Sequence, residues 1–380
     1  MINRERMTDT FLDLIRIDSH SKEEKDVAGY LVRALGDAGC DVRVDDAGEK
    51  VGGNTGNVIA RFPGTSPAIA PLLLSAHMDT VPPGKGVKPV READRIRTDR
   101  TTVLGGDDKS GLAIILETIR VLGEKSVPRG DIDIVFTICE EIGLLGAKNF
   151  DVASVKSRQG FVLDSNDASC LYTRAPSADH FRFVVHGLEA HAGVAPETGI
   201  SAVRVAAEAI AAMPLGRIDQ QTTSNIVIVE GDGATNVVPN RCVVSGEARS
   251  HDDARLDETM SAIRRCFQDA AAGATATVDG KLHRAWIEEQ SERDYESMAV
   301  SDDAPIVQLI LRAAKATGWT VNTAIIGGGC DANVFNRRGI QSVNFGTGMR
   351  DIHTVNEWLD LRDFYASADV VLECVRLNAA

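Results

Sequence analysis

A chain of 380 residues is long for a single hydrophobic core, so two domains are the starting expectation. Hydrophobic residues at 43% and charged residues at 25% are ordinary for a soluble globular protein. With 41 basic against 55 acidic residues the formal charge is −14, which argues against nucleic acid or an anionic membrane as a partner.

The N-terminal residues Met1 to Asp9 contain no apolar core of a signal peptide, and no apolar run approaches the length of a bilayer span. A cytoplasmic protein is expected. The seven cysteines (40, 139, 170, 242, 266, 330 and 374) are scattered, odd in number and without Cys-x-x-Cys spacing. Neither a disulfide framework nor a thiolate zinc site is supported, so any metal ligands should be histidine and carboxylate.

Residues 3–18 and 22–39 carry apolar residues at helical spacing (Phe11, Leu12, Leu14, Ile15; then Val27, Leu31, Leu35), and Gly39 ends the second segment. Strands are expected at 41–44 and 57–62. The run Leu72 to Ala76 reads as a buried strand, and His77 and Asp79 follow it two residues apart, on one face of an extended chain. Open α/β sheets place their sites at such strand ends. A neutral imidazole binds metals, and a nearby carboxylate fixes its tautomer. Taken alone, His-x-Asp is more often a strand running into a polar turn.

Residues 82–102, rich in proline, glycine and charge, read as a loop with a short hairpin. Leu104-Gly-Gly-Asp-Asp-Lys-Ser-Gly-Leu112 then enters an apolar helix over 112–122. Aspartate is a good N-cap and the helix dipole favours it, but two adjacent aspartates exceed what one cap requires. Cap and ligand roles both stay open for this segment. Asp131 to Cys139 is the clearest strand, and Glu140-Glu141 follows at once. The pair is either a solvated edge or a base beside a metal ligand. Phe161-Val-Leu-Asp164 is another apolar strand ending in a carboxylate. Strands ending at His77/Asp79, Glu140/Glu141 and Asp164 would converge on one sheet edge.

From about residue 175 the pattern becomes strand (180–186), helix (199–213), two strands (225–230 and 241–249), helix (256–272) and a strand from 276 to 286 and beyond. That order is a ferredoxin-like two-layer sandwich, and apart from His191 it carries no ligand cluster. A helix over 304–317, ended by Gly318, and a strand over 320–326 lead to the loop Gly327-Gly-Gly-Cys-Asp-Ala-Asn333. Its glycines let backbone amides approach a ligand, and the short helix behind it favours an anion. The spacing matches no nucleotide fingerprint. A strand at 342–345, a loop reaching His353 and an amphipathic helix over 359–377 close the chain.

Collected in order, Ser75-Ala-His-Met-Asp-Thr-Val81, Gly105-Gly-Asp-Asp-Lys-Ser-Gly111, Glu140-Glu-Ile-Gly143, Leu163-Asp164, Gly187-Leu-Glu-Ala-His-Ala-Gly193 and Ile352-His-Thr354 span nearly the whole chain. With them the chain resembles the di-metal peptidases of the aminoacylase/carboxypeptidase G/peptidase T family, closest to the peptidase T-like branch. The resemblance implies an α/β fold: a zinc-exopeptidase-like catalytic domain (1–174 plus 298–380), its mixed sheet flanked by helices. An inserted ferredoxin-like α+β lid or dimerisation domain would occupy 175–297.

It also implies a ligand set. His77 and Asp164 would bind one metal, Glu141 and His353 the other, and Asp107 would bridge them, with a cis peptide bond after it. Asp79 would orient His77, Glu140 would be general base on a bridging water, and His191 would reach the oxyanion after lid closure or from a partner's lid. Asn236, Arg249 and the 327–333 loop, with Gly328 and Asn333, would bind substrate. Ile326 departs from aminotripeptidases, where an arginine is expected.

The cofactors implied are two divalent ions, zinc ahead of cobalt or manganese. The activity implied is hydrolysis of small peptides by a tripeptidase- or aminopeptidase-like exopeptidase, with a possible homodimer through the lid. The alternatives are an N-acyl amino acid deacylase or carboxypeptidase on the same centre, and, more remotely, a catalytically silent metal-binding scaffold.

Overall fold

The computed structural model describes residues 1–231 and 233–379, so Ala380, the last residue of the expected first domain, lies outside the description. The chain forms two compact units, Met1–Ala175 with Met298–Ala380, and Pro176–Ser297.

The larger unit is built on a nine-stranded mixed sheet. Its centre is four parallel strands, in the order Ile132–Thr137, Leu72–His77, Gln159–Ser165 and Gln341–Gly346. The first two of these are buried along their whole length, which is why they read as unbroken apolar runs rather than as alternating ones. Val58–Phe62 and Asp41–Val44 extend one side antiparallel. On the other side Cys170–Ala175, unmarked in the sequence, pairs with Gln341–Gly346, Met298–Ala299 and Asn322–Ile325.

The crossover from Leu72–His77 to Ile132–Thr137 is the helix Gly106–Glu124, buried almost all round. It starts earlier than its apolar run suggests, but Asp107 and Asp108 have non-helical backbone angles, so the regular helix begins after them. The expected hairpin is present as Pro89–Arg91 and Arg95–Thr98. It belongs to a separate four-stranded sheet with Trp358–Asp360 and Met349–Arg350.

In the smaller unit every pairing is antiparallel, with strand order Gly216–Arg217, Thr222–Gly231, Arg241–Ser250, Ser177–His186, Trp286–Tyr295. The helices Ala202–Ala212 and Asp253–Gly273 close its core, where the Phe183 and Phe267 rings stack with centroids 4.2 Å apart. This is the ferredoxin-like order. One expectation needs correcting: 276–286 is not a single strand. Asp279 and Gly280 both take positive φ, 50° and 76°, and turn the chain into a hairpin, Thr275–Val278 with Lys281–Arg284. An Asp-Gly pair is the residue choice that such a two-residue turn favours.

Candidate metal centre

Because the four central strands run parallel, their C-terminal ends lie on one edge, with His77 directly opposite Thr137. The turn after Thr137 carries Glu140 and Glu141, and Asp164 stands one residue before the end of its strand. Asp107 approaches from the loop ahead of the crossover helix, and the peptide bond after it is cis. His353 sits in the loop between Met349–Arg350 and Trp358–Asp360, at a positive φ of 61°. A non-glycine residue there is held by its surroundings against its own preference.

Asp107 divides its two oxygens. Oδ1 lies 2.9 Å from His77 Nε2, and Oδ2 lies 3.1 Å from His353 Nε2. His77 Nε2 is also 3.8 Å from Asp164 Oδ1, and His353 Nε2 is 3.1 Å from Glu141 Oε2. Two triads result, His77/Asp107/Asp164 and Asp107/Glu141/His353, and in each the potential ligand atoms lie within 4.8 Å of one another.

These side chains are held in place by a further set of buried polar groups. Asp79, expected to orient His77, lies 3.4 Å from its Nδ1 and also accepts hydrogen bonds from the Glu140 and Glu141 amides at 2.9 and 3.2 Å. Asp108 accepts from the His77 amide at 3.1 Å, which leaves Asp107 as the member of the pair facing both histidines. Glu357, fully buried, accepts from the amides of Leu104, Gly105 and Asp107 at 2.7, 2.9 and 3.1 Å. Asn344 brackets Asp164, accepting from its amide and donating to its carbonyl. Asp79 was expected from the sequence; of the others, Asp108 and Glu357 had a legible signal, each being an acid within four residues of an expected ligand.

Charge at this edge is unbalanced. Burial raises the Glu140, Glu141 and Asp164 carboxyls above their ordinary range, and repulsion among the acids adds to it. Asp107 is the exception: burial would raise it, but the bonds from His353 and His77 hold it low. The bonds to Asp107 and Glu141 in turn raise His353 to about 10. Burial would lower His77, but its bond to Asp107 and the Asp79 carboxylate beside Nδ1 hold it well above the ordinary value. Glu141 Oε1 is buried without a hydrogen-bond partner. Five nitrogen and oxygen donors with excess negative charge and an unused carboxylate oxygen fit divalent cations better than they fit each other.

Gly328 and Asn333 belong to this unit. Asn333 Oδ1 accepts from the Cys330 amide at 3.1 Å and caps the helix Asp331–Arg337, a structural use of that oxygen. His191, Asn236 and Arg249 belong to the smaller unit. The segments of His191 and Asn236 adjoin there, with the Ala192 amide donating to the Asn236 carbonyl at 2.9 Å. Arg249 pairs with Glu247 at 3.0 Å.

A family model described as Peptidase family M20/M25/M40 matches residues 73–377. The chain is 37% identical over 376 residues to the uncharacterized protein YqjE of Bacillus subtilis, covering 99% of each. Aminopeptidase PepT from Bacillus cereus superposes with a TM-score of 0.90 at 36% identity over the whole of both chains. A tripeptidase from Staphylococcus aureus superposes with a TM-score of 0.93 at 34% identity, covering 100% of this chain and 99% of that one.

Proposed function

The chain belongs to peptidase family M20/M25/M40, and from that premise we propose that it is a metal-dependent exopeptidase cutting small peptides beside a free terminus. The observation that carries this reading is Asp107, whose two oxygens face two separate ligand triads. His77, Asp107 and Asp164 would hold one ion, and Asp107, Glu141 and His353 the other. Bound there, divalent ions supply Lewis-acid polarisation of the scissile carbonyl and a more acidic water. The peptidase T-like relatives with solved structures, an aminopeptidase and a tripeptidase, support peptides with a free N-terminus as the substrate class.

Glu140 is the proposed general base. Burial, with Asp331 and Glu141 nearby, keeps its affinity for a proton high. In this reading it takes the proton of the attacking water and passes it to the leaving amine. Asp79 orients His77 and holds the amides of both glutamates. His191 is the proposed oxyanion donor: its Nδ1 accepts from the Gly193 amide at 3.2 Å, which places the proton of the neutral ring on Nε2. Asn236, Arg249, Gly328 and Asn333 are proposed to contact the substrate backbone or its carboxylate.

Zinc is the proposed ion, given the mixed imidazole and carboxylate donors. The smaller unit is the proposed lid and dimerisation domain. The exposed run Val227, Ile228 and Val229 on its sheet supports association of two copies. All seven cysteines are free, which supports a reducing, cytoplasmic setting. Among the described residues no helix is long and apolar enough to cross a membrane.

The test is hydrolysis of tripeptides and of N-acyl amino acids before and after chelation. Tripeptide turnover should vanish with chelator and return with zinc, cobalt or manganese. Turnover untouched by complete metal removal would end the reading.

A further inference from the structure

The turn that carries Glu140 has an unusual construction. Four successive amides, of Ile138, Cys139, Glu140 and Glu141, each donate to a side-chain oxygen from elsewhere in the chain. Asn57 Oδ1 takes the first at 3.1 Å, Glu24 Oε1 the second at 3.0 Å, and the two oxygens of Asp79 the last two at 2.9 and 3.2 Å. Cys139 needs the help, since as a non-glycine residue it sits at a φ of 52°.

Glu24 is fully buried at the start of the helix Lys25–Asp37. Its Oε1 gathers the Lys22 amide at 3.0 Å, the Cys139 amide at 3.0 Å and the Cys139 thiol at 3.3 Å, while Oε2 has no hydrogen-bond partner. The same segment supplies Ser21, whose hydroxyl donates to Asp79 at 2.6 Å, and bridges His20 to Thr80. Residues 19–24 thus wrap the turn from outside and reach it through two carboxylates, Glu24 directly and Asp79 by way of Ser21.

We propose that Glu24 is a positioning residue for Glu140, fixing the left-handed Cys139 through one acceptor oxygen and so aiming the base. It touches neither substrate nor the reacting atoms, and its role rests on the reading of Glu140 as general base. The geometry makes a sharp distinction between variants. In Glu24→Gln the amide carbonyl accepts both backbone bonds, and the amide nitrogen takes the place of the partnerless Oε2. In Glu24→Asp the charge survives but the acceptor is one methylene too short to reach Cys139. Glu24→Ala removes it.

The experiment is steady-state hydrolysis of Ala-Ala-Ala by metal-loaded wild type, Glu24→Ala, Glu24→Asp, Glu24→Gln and, as control, Glu140→Gln. Metal per chain and thermal midpoint are measured on each sample. Glu24→Ala and Glu24→Asp should lose roughly 10- to 100-fold in kcat with KM and metal content unchanged, the scale of a misaimed catalytic group. Glu24→Gln should stay within about threefold of wild type, because its bonds to the turn survive. If Glu24→Ala does not fold, the contrast between Glu24→Asp and Glu24→Gln decides. A wild-type kcat in Glu24→Asp beside an inactive Glu140→Gln overturns the proposal alone. So does a Glu24→Gln as impaired as Glu24→Asp, or a loss of metal in step with kcat. An active Glu140→Gln overturns the base assignment, and the proposal with it.

Discussion

Asp79 illustrates how one buried carboxylate does several jobs. It lies beside His77 Nδ1, accepts the amides of Glu140 and Glu141, and receives the Ser21 hydroxyl. Asp79→Asn replaces one acceptor oxygen by an amide that repels whichever N–H it faces. Turnover should fall about 10- to 100-fold, the range for groups that orient metal ligands. Metal per chain should fall much less, as measured by elemental analysis beside the rate. Complete loss of metal would make Asp79 a ligand.

Protons and metal compete for the same donors. Unfolded His353 titrates near 6.5 and the folded residue near 10, so the stability it contributes is present below pH 6.5 and is lost as pH rises towards 10. Buried Glu357, raised from 4.5 to about 7, favours its protonated form in the fold, so its contribution also falls as pH rises through that interval. Both slopes have one sign. The thermal midpoint of chelator-treated protein should fall between about pH 6 and pH 9, and bound metal should flatten the curve. A midpoint rising over that window without metal would contradict the assignment.

At this scale the sequence was readable where a residue's chemistry is unusual for its place: a histidine or paired acids at the end of an apolar run. It was silent on Asn344 and Ser21, because a short polar side chain near a strand end or turn has no distinguishing pattern until the fold shows what it touches.

Among the elements, the helix Gly106–Glu124 is the one the edge depends on. It packs so closely that a Cβ on Gly111 would lie 2.4 Å from the Leu163 carbonyl oxygen and 2.5 Å from Asp108 Oδ1. Gly111→Ala therefore sets a helix-propensity gain of about 1 kcal/mol against overpacking of about 1–3 kcal/mol. Overpacking should win: the urea midpoint should drop, and His77 loses its Asp108 support at the same time. A more stable variant would mean the strand end yields easily. The parallel strands were legible because burial on both faces leaves continuous apolar runs. Short strands such as Met349–Arg350 were not, since two residues carry no period and owe their state to pairing with Trp358–Asp360. The glycine loop reads as an anion cradle, and at its end Asn333 caps the helix that follows.

For the whole molecule, the smaller unit has its own sheet, two helices and a core that includes Phe181, Phe183, Leu256 and Phe267. Expressed alone as residues 176–297, it should unfold cooperatively in urea, bind no stoichiometric metal and cleave no peptide. A fragment without cooperative unfolding would show that its core needs the rest of the chain. The change of pattern near residue 175 was visible because alternating strands replace continuous apolar ones.

The central claim is a two-ion centre shared through Asp107 and served by Glu140. It is tested most directly by tripeptide turnover of Glu140→Gln, with bound metal counted in the same sample. The account predicts two divalent ions per chain and a rate lower by a factor of about 10²–10⁴, the contribution of a positioned base. Full turnover with both ions bound would contradict it.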